Sequence, residues 1–203
     1  LPVVAVVGPT ASGKSRMAVE LAHRLDGEII SADSMQIYRG MTIGTAKPTE
    51  EEMGGIPHYL IDFLDLGETF SVADFVEKAD QHIREIIGRG KLPIVVGGTG
   101  LYIRSLLHHT KFADNSGSGR NEELRKELLR RAEEEGIDSL MEELREIDPE
   151  AAEKIHPHNV VRVVRAIEIY RLTGKTMTEQ NALSHQEPSP YSACVIGLNF
   201  EDR

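Results

Sequence analysis

Apolar positions along the chain recur with two different periods. Val3-Val4-Ala5-Val6-Val7 is an unbroken apolar run, the mark of a strand buried on both faces. Arg16–Leu25 then reads as a helix, with Met17, Leu21 and Leu25 one turn apart and Gly27 just past its end. Glu28-Ile29-Ile30-Ser31 is a short strand leading into Ala32-Asp33-Ser34. Residues 39–57, rich in glycine and proline, read as a long loop, a length that compact domains usually reserve for function. Ser71 as N-cap, with Asp74 following, starts a helix over 72–87 whose stripe is Phe75, Ala79, Ile83 and Ile86 and which Gly88 closes. Leu92–Val96 is a second buried strand, ending in Gly97-Gly98-Thr99-Gly100 and another helix start.

The pattern changes beyond residue 108. Asp114–Gly119 reads as a flexible joint, followed by helical segments over 121–135, 139–146 and 150–154. A longer helix over 159–173 stops at Gly174, and Val195–Leu198 reads as a last strand. Strand-helix alternation at the start implies a parallel sheet covered by helices, an α/β fold. The expected organisation is a discontinuous core, 1–108 with 156–203, interrupted by a smaller helical insertion over 109–155.

The 203 residues are enough for that core and appendage, and 40% hydrophobic with 28% charged residues suit a soluble globular chain. No apolar run is long enough to span a bilayer, and no signal peptide precedes the first strand, so a cytoplasmic protein is expected. The chain opens on Leu1 instead of Met, as a piece of a longer protein would. A net charge of −10 argues against nucleic-acid binding by bulk charge while leaving a local basic groove possible. Cys194 is the only cysteine, which excludes an internal disulfide and a cysteine-based zinc site; a small buried strand residue is its expected role.

The first strand runs straight into Gly8-Pro9-Thr10-Ala11-Ser12-Gly13-Lys14-Ser15, which fits G-x-x-x-x-G-K-[ST] in the strand–loop–helix setting the motif needs. Such a P-loop turns backbone N–H groups toward a diphosphate or triphosphate at the positive end of a helix. Lys14 adds a mobile cation, and the Ser15 hydroxyl is placed to ligate Mg²⁺. Asp33 follows the second strand, where ligands of open α/β sheets collect; it serves there either as a proton acceptor or as a local turn aspartate. The strand over 92–96 ends in glycines and lacks the Mg²⁺-holding Asp of motor ATPases and GTPases. Those glycines fit either close approach of a substrate or a tight turn. Arg162 and Arg165 share one helix face, beside a stripe of Val160, Val163, Ile167 and Tyr170, as a phosphate clamp or as partners of acids such as Glu168. His58, His156 and His158 lack the spacing of a metal set.

Several blocks now coincide in order: Gly8–Ser15, Ser31–Tyr38, Ile43–Pro48, Pro57–Asp62, Gly97–Tyr102 and Arg162–Glu168. Together they resemble the tRNA dimethylallyltransferases, isopentenyltransferases that modify the adenosine just 3′ of certain anticodons. The resemblance covers almost the whole chain. Val161 stands where the family usually has Gln, and the family continues past Arg203 with helices carrying a catalytic arginine and anticodon contacts.

The resemblance implies a P-loop NTPase-like fold in which the cradle, Gly8 through Ser15, holds the diphosphate of dimethylallyl diphosphate, with Mg²⁺ as cofactor. Thr10 would bond near the breaking C–O bond, Lys14 would stabilise the leaving group, and Asp33 would take the proton from adenine N6. Ser34, Met35 and Gln36, together with Val161, Arg162, Val163, Val164 and Arg165, would contact the tRNA anticodon stem-loop. Thr99 and Gly100 would line the donor pocket. A cytoplasmic monomer independent of membranes is implied. At the cradle itself three other readings stand: an ATP-dependent small-molecule kinase, an isopentenyltransferase acting on free adenine nucleotides, and a non-enzymatic RNA-binding switch gated by nucleotide.

Overall fold

A computed structural model of the chain describes residues 1–110, 122–184 and 188–199. Two compact units are present, Leu1–Thr110 with Pro188–Arg203, and Lys111–Glu187. The joint expected over Asp114–Gly119 lies outside the described residues.

The first unit is built on β1 (Pro2–Val7), β2 (Gly27–Ser31), β3 (His58–Tyr59), β4 (Leu92–Gly97) and β5 (Ser192–Gly197), all parallel in the order β3-β2-β4-β1-β5. Between them run α1 (Lys14–Leu25), the single turn α2 (Glu50–Met53), α3 (Val72–Gly88) and α4 (Gly100–Leu107). Strand β4 separates β1 from β2, so the segments that follow β1 and β2 flank the end of β4. That leaves a crevice beyond the strands' carboxyl ends.

Helix α1 packs through Ala18 and Ala22, which are buried against Val6, Ile29, Ile94 and Val96. Met17 and Leu25, expected on its inner stripe, are 37% and 50% exposed. Ala18 and Ala22 form the fully buried row, Val19 and Leu21 pack half-buried at its edge, and Met17 and Leu25 turn outward. By the period-two rule, Ile30 and Val95 point to the opposite sheet face. Helix α3 covers that face, burying Phe75, Ala79, Ile83 and Ile86 as the stripe predicts. Its start is a full capping box: the Ser71 hydroxyl accepts from the Asp74 N–H, and the Asp74 carboxylate accepts from the Ser71 N–H. Asp26 ends α1 in a left-handed conformation, so Gly27 begins β2. A Cβ on Gly27 would meet the Leu92 carbonyl oxygen at 2.9 Å.

Three elements go beyond the sequence expectation. α2 breaks up the long loop, β3 follows directly after it, and α9 (Met177–Ser184) follows the longest helix of the second unit. Thr49 and Glu52 form a second capping box on α2. Cys194 is exposed on β5 and is not a core residue. It sits on the outermost strand, most of which is accessible.

The second unit packs α5 (Glu122–Glu134), α6 (Ile137–Ile147), α7 (Pro149–Lys154), α8 (Val160–Thr173) and α9 around Leu128, Leu140, Met141, Leu144, Val163, Val164 and Ile167. The expected return to the sheet at residue 156 is therefore corrected: α8 buries its stripe between α5 and α6, and the chain rejoins the sheet unit at Pro188. Buried Asp148 caps α7 through the Ala151 N–H at 3.1 Å, and accepts from the N–H and hydroxyl of Thr178 at 3.0 and 2.7 Å. One carboxylate thereby fixes both α7 and α9. No helix among the described residues is long and apolar enough to cross a membrane.

Candidate active site

The cradle after β1 is shaped by crowding on one side and openness on the other. A Cβ on Gly8 would lie 2.8 Å from the Leu198 carbonyl oxygen and 2.9 Å from Ser12 Oγ, so a side chain is excluded there. Ala11 and Gly13 adopt left-handed backbone at φ 65° and 81°, which folds the loop back over the helix start. Helix α1 has no side-chain cap and no acidic residue in its first turn. Its first N–H groups and its positive end remain available to an anion. Lys14 Nζ donates to the Pro9 carbonyl at 3.2 Å, so the ammonium already lies over the loop. Ser12 Oγ in the same loop is buried without a hydrogen-bond partner among the described residues.

At the end of β2, Asp33 Oδ1 accepts from the N–H groups of Met35 at 2.9 Å and Gln36 at 3.4 Å. This is the local turn role anticipated for an aspartate here, and it does not exhaust the carboxylate. Oδ2 has no hydrogen-bond partner among the described residues, and Asp33 lines the same cavity as Thr10, Lys14 and Ser15. That cavity measures about 830 Å³, with Met35, Gln36, Thr45 and Ala46 among the groups that close it.

The glycines after β4 divide the two earlier explanations between them. Gly97 is a backbone-contact glycine: an added Cβ would fall 2.1 Å from the Ala32 carbonyl oxygen. Gly98 faces the cradle, its Cβ position 3.9 Å from Lys14 Nζ. Thr99 then locks the turn, its N–H donating to Ala32 O at 3.2 Å and its Oγ1 accepting from the Ser34 N–H at 3.1 Å. Thr99 thus holds the Asp33-bearing turn, while Gly100 opens with Gly98, Ile103, Leu107 and Val195 onto a second recess of about 540 Å³.

Gln36 spends its side chain internally. Its Oε1 accepts from the Ser31 hydroxyl at 3.2 Å, and its Nε2 donates to the carbonyls of Thr45 and Ala46 at 3.1 and 3.0 Å. His58 lines the cavity with Nδ1 against the Ile56 carbonyl at 2.7 Å, and burial holds its pKa below the usual histidine value. His156 and His158 stack on each other in the helical unit, and no cluster of metal-binding side chains occurs among the described residues.

In the helical unit Arg162 is exposed on α8, and Val161 beside it is 57% exposed. Arg165 donates to Glu168 at 2.8 Å, the acid-paired role foreseen as one alternative. Val163 and Val164 are wholly buried in the helical core, so their side chains contact no ligand, contrary to expectation. Lys47 received no role from sequence reasoning although it lies inside a quoted block. Its only sequence signal is a lysine set between a glycine turn and Pro48.

The family model described as IPP transferase matches residues 36–203. The chain belongs to this family. The tRNA dimethylallyltransferase of Caldanaerobacter subterraneus is 50% identical over the whole of this chain and 64% of its own length. That of Halalkalibacterium halodurans is 52% identical over 98% of this chain and 62% of its own. The chain thus spans less than two thirds of the curated relatives it matches. Among solved structures, the full-length tRNA isopentenylpyrophosphate transferase of Bacillus halodurans aligns at TM-score 0.60 and 49% identity, covering 97% of this chain and 59% of that one. A eukaryotic dimethylallyltransferase acting on tRNA aligns at TM-score 0.81 and 34% identity, over 97% and 48%. The IPP transferase fold of this chain is P-loop NTPase-like, a parallel sheet with flanking helices.

Proposed function

We propose that this chain carries the donor cradle and the proton-accepting aspartate of an enzyme that transfers a dimethylallyl group from dimethylallyl diphosphate to N6 of the adenosine 3′ of a tRNA anticodon. The observation that supports it most is the cavity itself. An uncapped, acid-free helix start with Lys14 shares it with the Asp33 carboxylate, one of whose oxygens has no hydrogen-bond partner among the described residues.

The reaction breaks the allylic C–O bond and forms a C–N bond. Negative charge grows on the departing diphosphate, and the free N–H groups at the helix start together with Lys14 are the groups assigned to receive it. Thr10, on the cavity wall, is assigned a hydrogen bond to that leaving oxygen. Adenine N6 is a weak nucleophile because its lone pair is conjugated with the ring. The second oxygen of Asp33 takes its proton as the new bond forms, while the first keeps its turn. Ser15 suits Mg²⁺, which commonly takes a few protein oxygens and completes its shell with phosphate and water; bound there, the ion neutralises diphosphate charge. The acceptor base must leave its stack at a cost of about a few kcal/mol, and we assign Met35 and Ser34 near Asp33, with Arg162 on the helical unit, to RNA contacts that offset it. Cytoplasmic action as a monomer belongs to the same reading.

Labelled dimethylallyl diphosphate, Mg²⁺ and an unmodified anticodon stem-loop incubated with the protein should give N6-modified adenosine on nucleoside analysis. Label transferred instead to free adenine nucleotides, or ATP consumed with phosphate passed to a small molecule, would overturn the assignment.

A further inference from the structure

We propose that Lys47 is a positioning residue for the acceptor, a role that rests on the transfer reading above: it holds the Thr45–Ala46 turn as a fixed wall of the cavity that the cradle also lines. The Lys47 side chain is only 7% exposed. A buried ammonium requires a purpose and a full set of acceptors. It donates to the Tyr38 carbonyl at 2.6 Å and forms an ion pair with the Asp62 carboxylate. That hydrogen bond holds the Asp62 carboxyl below the usual carboxylate range.

The two segments it joins are both in left-handed backbone without glycine, Ala46 at φ 48° and Asp62 at φ 55°. Such residues persist only where their surroundings over-determine them, and they collect at functional sites. The surroundings here are one continuous network. The Asp62 N–H donates to the Gln36 carbonyl at 3.0 Å, and the Gln36 amide holds Thr45 and Ala46. The Gln36 N–H in turn bonds Asp33. The Thr45 hydroxyl closes its own turn on the Met41 carbonyl at 2.7 Å. Lys47 ties this wall to Asp62 through a buried charge, while the exposed Arg39 pairs with Asp65 further along that segment at 2.9 Å. The cradle depends on none of these bonds. Loss of the ammonium should therefore disturb seating of the base and leave the diphosphate site intact.

The test is steady-state kinetics on Lys47→Met with dimethylallyl diphosphate and anticodon stem-loop RNA. The KM for RNA should rise about tenfold or more, as for a reactant displaced by a fraction of an ångström, with the donor KM within about twofold of wild type. Lys47→Arg should recover most of the loss. An unchanged RNA KM, or both constants rising together, overturns the proposal. If Lys47→Met does not fold, Asp62→Asn carries the test, because that side chain is 54% exposed. It should raise the RNA KM alone by about threefold, the loss of a charge-assisted bond whose neutral version survives; no change overturns the proposal. Hydrogen exchange over residues 39–47 reads the clamp without any reaction, and should speed up in Lys47→Met while β1 and β2 keep wild-type rates. Unaltered exchange there overturns the clamp. A wild-type protein that modifies no RNA defeats the transfer reading alone, and the clamp is then judged on exchange.

Discussion

The carbonyl oxygen of Ala32 occupies the space where a Cβ on Gly97 would sit, 2.1 Å from its ideal position. This contact brings the end of β2, and with it Asp33, hard against the end of β4. The Ala32 N–H donates to Val96 O at 2.7 Å, and the Thr99 N–H returns to Ala32 O at 3.2 Å. The aspartate is placed by backbone, through a neighbour that cannot carry a side chain. Gly97→Ala should therefore destabilise the fold by about 3 kcal/mol or more, at the upper end of overpacking effects. Denaturant unfolding measures this, and a loss under about 1 kcal/mol would show that the strand ends relax apart.

Asp33 separates two roles in one side chain. Asp33→Asn keeps an oxygen to accept from Met35 and Gln36 but removes the base, so folding should be retained while kcat falls about 10²-fold or more. Asp33→Ala should lose both turn and turnover. Single-turnover transfer to stem-loop RNA measures the effect, and wild-type turnover in folded Asp33→Asn would exclude proton acceptance.

Lys14→Ala removes the cradle's mobile cation and leaves the loop amides. Affinity for dimethylallyl diphosphate should fall by about tenfold or more, the scale of one charge-assisted contact. Calorimetry measures it, with ATP titrated in parallel. Stronger protection against thermal unfolding by ATP than by the allylic donor would favour the kinase alternative.

Glu28 predicts an acid limit to stability. Burial acts to raise its carboxyl pKa, but hydrogen bonds from Arg89, Tyr59 and Lys91 outweigh it and hold the group below its ordinary value of 4.5. The Arg89 guanidinium donates at 2.6 Å and the Tyr59 hydroxyl at 2.8 Å. A depressed carboxylate adds stability in full above the unfolded value, and the gain is lost as pH falls through the folded one. Melting temperature should therefore decline below about pH 4.5, more steeply in wild type than in Glu28→Gln. The variant should be less stable at neutral pH by about 1–3 kcal/mol, the desolvation penalty of partners left unmatched. Parallel pH profiles for the two proteins would remove Glu28 from the account.

Much of the site was legible in residue order. The cradle needs neighbouring residues only, and a strand–loop–helix spells it locally. The Ser71–Asp74 capping box is equally local and formed as read. Errors arose where spacing alone had to decide which face met the sheet. Met17 and Leu25 recur at a helical period as well as Ala18 and Ala22 do. Only the packed structure shows that the fully buried row is Ala18 and Ala22, with Leu21 at its edge. Val163 and Val164 were assigned to RNA through their place in a motif, yet helix geometry turns them into the core beside an exposed Val161. Residues 156–187 read as a return to the sheet because nothing in α8 itself says which neighbours will cover its stripe.

Sequence alone was sufficient for the chemistry that depends on adjacency: a phosphate-binding loop, an aspartate at a strand end, glycines where a conserved metal-holding acid of other nucleotide enzymes would stand. Tertiary structure was needed for everything joining distant segments. It showed that Gly97 meets the Ala32 carbonyl, that Thr99 braces Ser34, and that Gln36 bonds Thr45 and Ala46 while Lys47 reaches Tyr38 and Asp62. The reason is physical. Loops and caps are stabilised by hydrogen bonds within a few residues, whereas strand order and buried polar networks form only when remote parts of the chain share a core.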